Sequence, residues 1–230
     1  MTPGLSASAI VGAWELAEGR GPLDRALLLL WAAGASDDPA TLPLAERDRR
    51  LLALRRASFG DGLACTVACP ACGAPLELEL SAAELAAALP AAAPEVVEGG
   101  GVRIELRPLD SRDLAAAAAL PEAEVAGFLR ARACGREALT AAIAAEVDAR
   151  LETRAAAAEL TLSLACAACG AAWRDSLDVG AHVWSEVDQA ARRVMREAAE
   201  IAAAFGWSEA AILAMSDARR RVYLQLARGG

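Results

Sequence analysis

Four cysteines in two matching pairs constrain this chain more than any other feature. Cys69-Pro70-Ala71-Cys72-Gly73 and Cys166-Ala167-Ala168-Cys169-Gly170 repeat one pattern in a chain of 230 residues that holds only six cysteines. Two CxxC pairs can supply the thiolates of a structural zinc ion, a closed tetrahedral site with no position left for a substrate. A Gly after each second cysteine suits a turn with φ > 0 whose backbone N–H groups point at sulfur. The spacing therefore predicts one Zn2+ held by Cys69, Cys72, Cys166 and Cys169. Two redox pairs or two disulfides are the competing readings. A redox pair belongs at a helix start after a strand, whereas Gly73 precedes the alternating run Leu76-Glu77-Leu78-Glu79-Leu80. Cys65 has no counterpart near the second knuckle, and Cys134 lies in an alanine-rich stretch where it reads as a small buried residue.

The second knuckle is entered through Leu160-Thr161-Leu162-Ser163-Leu164 and left through Trp173-Arg174-Asp175-Ser176-Leu177, so each knuckle reads as a short hairpin with one buried face. The two hairpins, 63–80 and 158–180, make one split ribbon. Residues 81–157 form an inserted α/β lobe, far longer than a hairpin connection needs. Within it an Ala/Pro segment at 82–94 precedes a strand through Val102, Ile104 and Leu106. A helix capped by Asp110 or Ser111 follows, and then helices over 122–133 and 136–150.

The N-terminal region, 1–62, reads as three helices: 5–18, one from Pro22 to near Gly34, and Leu44 to Phe59 with Arg47, Arg49 and Arg50 turned away from its leucines. The C-terminal region, 181–230, starts with an amphipathic helix from His182 to Phe205. A short helix capped by Ser208 comes next, and a last helix runs from Ser216 or Asp217 to Leu226. The fold class is α+β, mainly α-helical: a split four-cysteine zinc ribbon with a large α/β insertion and helical segments at both ends.

Composition narrows the function. A net charge of −8 gives no electrostatic steering toward nucleic acid or an anionic membrane, and no apolar run is long enough to span a bilayer. Thiolate ligands and the lack of a basic, apolar leader fit a cytoplasmic site of assembly. His182 is the only histidine, lysine is absent, and Gly99-Gly100-Gly101 lacks the residues of a phosphate loop, so a non-enzymatic role is expected. Trp207, Arg219, Arg220, Arg221 and Tyr223 cluster within two short helices as candidate interface residues, of types enriched at binding hot spots.

The run Leu51-Leu52-Ala53-Leu54-Arg55-Arg56-Ala57-Ser58-Phe59-Gly60, the first knuckle with its strand to Leu80, and the tail from Gly206-Trp207-Ser208-Glu209 to Val222-Tyr223-Leu224 resemble a known family. It comprises the tail baseplate proteins related to the T4-type baseplate hub assembly protein, found in phages and phage-derived contractile injection systems. The resemblance implies a structural or assembly component that contacts hub, inner baseplate, spike or tube proteins through helices and becomes part of a phage tail-like particle. It matches the four knuckle cysteines to the zinc-bearing members. A cytoplasmic chaperone or adaptor that leaves before the particle is complete is the alternative, and a nucleic-acid-binding ribbon is the more distant one.

Overall fold

The computed structural model describes residues 4–229 except 92, 100, 101 and 137, so the Gly99-Gly100-Gly101 run lies largely outside the described residues. The elements in chain order are α1 (Ala7–Ala17), α2 (Pro22–Ala32), a 3-10 turn (Pro39–Thr41) and α3 (Leu44–Phe59). Next come β1 (Gly62–Ala68), β2 (Pro75–Ser81), α4 (Ala82–Ala88), β3 (Glu95–Gly99), β4 (Val102–Leu106), α5 (Ser111–Ala117), α6 (Glu122–Cys134) and α7 (Ala141–Ala158). The chain closes with β5 (Thr161–Ala165), β6 (Ala172–Ser176), α8 (Val179–Phe205), α9 (Glu209–Leu213) and α10 (Asp217–Ala227). The fold is α+β and mainly helical, and among the described residues the strands form three two-stranded antiparallel hairpins, β1–β2, β3–β4 and β5–β6. Among the described residues no helix is long and apolar enough to cross a membrane.

The four regions read from the sequence regroup as two compact units. The first joins 1–37, 51–61 and 179–230, so both chain ends contribute to one helical body. Its axis is α8, whose Val183, Val187, Ala190, Val194, Ala198 and Ile201 are buried at mixed three- and four-residue spacing. Ala7 and Val11 of α1 pack on Val194, where small side chains let the helices approach closely. The leucines at 29, 30, 51, 52 and 54 are almost fully buried, each contributing about 1.5–3 kcal/mol. Glycine at position 60, with φ 96°, turns the chain out of α3 as the sequence predicts.

This unit also buries a charge, Arg55, for which the sequence reading gave no position. Arg55 is 3% exposed; its Nε and Nη2 donate to the two carboxylate oxygens of Glu186 at 2.8 and 2.7 Å, and its Nη1 donates to the Gly60 carbonyl at 2.6 Å. The fork geometry matches two oxygens at once, which is why arginine rather than lysine serves here.

The second unit, 38–50 and 62–178, holds the knuckles and the inserted lobe. Val97 of β3 and Ile104 and Leu106 of β4 pack against Ile143 and Val147 of α7, with Cys134, Leu139 and Leu151 at the edge. The expected strand at 102–106 is present, paired with a β3 that the sequence reading did not include. A short helix, α4, occupies part of the expected Ala/Pro segment, capped by Ser81, whose hydroxyl accepts from the Glu84 N–H. The helix predicted over 136–150 instead starts at Ala141, behind a Thr140 cap, and runs on to Ala158.

Asp110 is the cap of α5, in a reciprocal box with Asp113. Asp113 is fully buried and accepts from Arg107 twice at 2.7 Å, from Arg132 at 2.6 Å and from the Asp110 N–H at 3.0 Å. Burial alone would push this carboxyl up. The Arg107 and Arg132 hydrogen bonds more than reverse that and hold it well below the usual carboxylate range. On α3, Arg49 donates to the Leu89 and Pro90 carbonyls, both at 2.9 Å, so it fixes the end of α4 rather than facing away from the unit.

Candidate metal centre

Each knuckle is the turn of a hairpin. β1 and β2 pair from Gly62↔Ser81 to Ala68↔Pro75, and the chain between them is Cys69 to Ala74. β5 and β6 pair from Thr161↔Ser176 to Ala165↔Ala172, and the chain between them is Cys166 to Ala171. The two turns are built alike. Cys69 N–H donates to the Ala74 carbonyl at 2.9 Å and Gly73 N–H to the Cys69 carbonyl at 2.8 Å; the corresponding bonds from Cys166 to Ala171 and from Gly170 to Cys166 are 2.8 and 2.9 Å. Gly73 and Gly170 sit at φ 73° and 75°, in the left-handed region that the turn requires.

The fold brings these turns together although 94 to 100 residues separate their cysteines. The sulfurs of Cys69, Cys72, Cys166 and Cys169 all lie within 4.8 Å of one another, and the four could hold a metal ion. Sγ of Cys69 is 3.7 Å from that of Cys169, and Sγ of Cys72 is 3.7 Å from that of Cys166. A tetrahedron with thiolates about 2.3 Å from a central ion has edges of about 3.8 Å, so these separations fit a bound ion. A disulfide needs about 2.05 Å, and none of the six cysteines is in one. The redox-pair alternative also lacks its setting, since each knuckle joins two strands rather than opening a helix.

The electrostatics point the same way. Backbone N–H groups of Cys169 and Ala168 face the Cys166 sulfur and bring its thiol down to about 7. At Cys72 the Ala74 backbone also lowers the thiol, but the sulfurs of Cys169, Cys69 and Cys166 outweigh it and push it up to about 12. Negative charge gathered on sulfurs this close is stabilised by a cation among them, which is the condition a metal satisfies. Cys69 and Cys166, the first cysteine of each pair, are buried, while Cys72 and Cys169 are exposed.

The remaining cysteines stand apart from the cluster. Cys65 lies on β1 opposite Leu78, and Cys134 ends α6 against the β3–β4 core, where burial raises its thiol. His182 is half-buried on α8, 3.9 Å from Glu186.

Of the candidate interface residues, Trp207 and Tyr223 do meet, edge to face at 4.7 Å, and Phe205 stacks on Trp207 at 4.9 Å. Arg219 lies over the Tyr223 ring at 5.6 Å, and Arg221 is exposed. Arg220 corrects the sequence reading: it is 3% exposed, bound to Glu197, to Asp217 and to the Met215 carbonyl, and is a brace of the helical unit rather than a contact residue on its surface. One heptad argument would have found it, since position 220 shares the inward side of α10 with Leu224. Comparison with family profiles, with curated proteins and with solved structures gives no match to this chain.

Proposed function

We propose that the ion of this site is zinc, that the two knuckles form a split zinc ribbon, and that the chain is a non-enzymatic structural or assembly component of the baseplate of a contractile tail or injection system. The observation that carries the reading is the convergence of Cys69, Cys72, Cys166 and Cys169 from two hairpins built alike, at the positions the family resemblance matches to zinc-bearing members. Zinc suits four thiolates in a tetrahedron, and a site filled by four protein ligands has no open position for catalysis, which makes the ion a structural pin. Bound there, it supplies a crosslink between distant chain segments. The cysteines supply charge, and the Cys166 turn supplies the N–H groups that spread it.

The partners in this reading are hub, inner baseplate, spike or tube proteins, met through helical surfaces of the first unit. The test is native mass spectrometry of assemblies purified on a tag carried by this chain, with metal content measured on the same sample. Stoichiometric baseplate or hub proteins with one zinc per chain support the reading. Zinc without any tail protein in the mature particle replaces it with a transient assembly chaperone or adaptor, and absence of bound metal overturns the ribbon.

A further inference from the structure

The outward side of α10 presents Val222 and Leu226 at 53% and 55% exposure, one helical turn apart and opposite the buried Leu224 and Arg220. With about 3.6 residues per turn, Arg219 flanks this apolar pair on one side and Arg221 with Gln225 on the other. The Arg219 flank is ordered in advance, because its guanidinium rests on Tyr223, which is itself held edge to face by Trp207.

The charge of this surface is the informative part. The chain carries 31 carboxylates against 23 arginines, and Arg220 and Arg228 of the same segment end in carboxylate pairs. Arg219 and Arg221 meet no carboxylate among the described residues; Arg221 donates only to the Asp217 carbonyl, at 3.4 Å. Two guanidinium groups without counter-ions thus border an exposed aliphatic pair in an otherwise acidic protein.

From this complementarity we infer that α10 docks an acidic amphipathic helix, one whose apolar side chains cover Val222 and Leu226 and whose flanking carboxylates meet Arg219 and Arg221. This names the chemistry of the partner surface that the proposed function calls for, and rests on that reading for which protein supplies it. A phosphate backbone would satisfy the arginines but leave the aliphatic pair in water. An anionic bilayer would meet a chain of net charge −8.

The test places a benzoylphenylalanine photo-crosslinker at position 222 of the full chain in its own cells, with and without Arg219→Glu and Arg221→Glu. The expected adduct is a single protein segment with carboxylates beside apolar residues at three- and four-residue spacing. The double charge reversal lowers its yield at least tenfold while metal content and circular dichroism stay unchanged. A nuclease-sensitive adduct, a lipid adduct, a second copy of this chain, a basic segment, no adduct, or a yield indifferent to the charge reversal each overturns the inference. A parallel purification of tail particles with Val222→Glu and Leu226→Glu separates the two readings. Particles that retain the variant leave the baseplate role standing without this surface. An acidic-helix adduct in the absence of tail proteins leaves the surface standing without the baseplate role.

Discussion

Removing the ion proposed for the four cysteines should release the β5–β6 hairpin before anything else in the second unit, and the size of the effect follows from its packing. From Leu160 to Ser176 the buried apolar side chains are Leu160 and Leu164, each 8% exposed, together with Cys166 of the knuckle. Two leucines supply about 3–6 kcal/mol, while ordering costs about 1–2 kcal/mol for every residue of the hairpin, a cost its ladder hydrogen bonds offset only in part. A two-stranded hairpin of this kind is marginal in water without a further anchor. Bringing its knuckle to that of β1–β2 closes a loop of about 100 residues, for which the chain-entropy cost is about 4.7 kcal/mol. Structural zinc binding contributes about 10–16 kcal/mol in small domains, more than the loop-closure cost. Chelation under reducing conditions, or Cys72→Ser, should therefore raise hydrogen exchange of the Thr161–Ser176 amides at least about a hundredfold, and Cys65→Ser should not. Hydrogen exchange with mass spectrometry, read beside metal content, measures this directly. Protection within threefold of the metal-bound protein after chelation would refute the argument, as would loss of metal in Cys65→Ser.

Further outcomes follow from other named contacts. Gly170→Ala meets no neighbouring atom within 4 Å, so its cost is the backbone strain of φ 75° alone, about 1 kcal/mol, and should appear as weaker metal retention in a chelator competition. Asp113 has a folded pKa depressed below its unfolded value, so its stabilisation is complete above about pH 5 and is lost as pH falls through and below the unfolded value near 4. Asp113→Asn should destabilise the protein at pH 7 in urea unfolding and flatten its acid dependence below pH 5, and an unchanged slope would contradict the assignment. Glu186→Gln removes the carboxylate that pairs with the buried Arg55 guanidinium at 2.7 Å and should cost about 3 kcal/mol. Arg55→Met, which removes the buried charge itself, should cost less, and urea midpoints in the reverse order would refute this account.

The candidate site was legible because a CxxC-Gly turn is a local object: spacing, thiol chemistry and the φ > 0 requirement are all contained within five residues, and both copies fold as that grammar requires. Helix limits marked by local chemistry were legible too, among them Pro22 at the start of α2 and Ser208 at the cap of α9. The start of α7 was not, because alanine on every side of 136–150 erases the periodic contrast that phases a helix, leaving only the Thr140 cap to mark it. Glu95-Val96-Val97-Glu98 carries too short a pattern to declare itself a strand, and becomes one by pairing with β4 and packing on α7.

What the sequence by itself determined is therefore the pair of knuckles, the mainly helical character and the amphipathic side of α8, each a matter of short-range spacing. Only the tertiary structure decided that the four sulfurs meet, that the two chain ends share one helical unit, and which arginines are structural. Arg55 is buried against Glu186, and Arg220 against Glu197 of another helix as well as the nearby Asp217, while Arg219 and Arg221 remain outside, flanking Val222 and Leu226. A guanidinium's role depends on which groups the fold brings within about 3 Å of it, and for partners on other elements that distance is set by packing between those elements rather than by spacing along the chain.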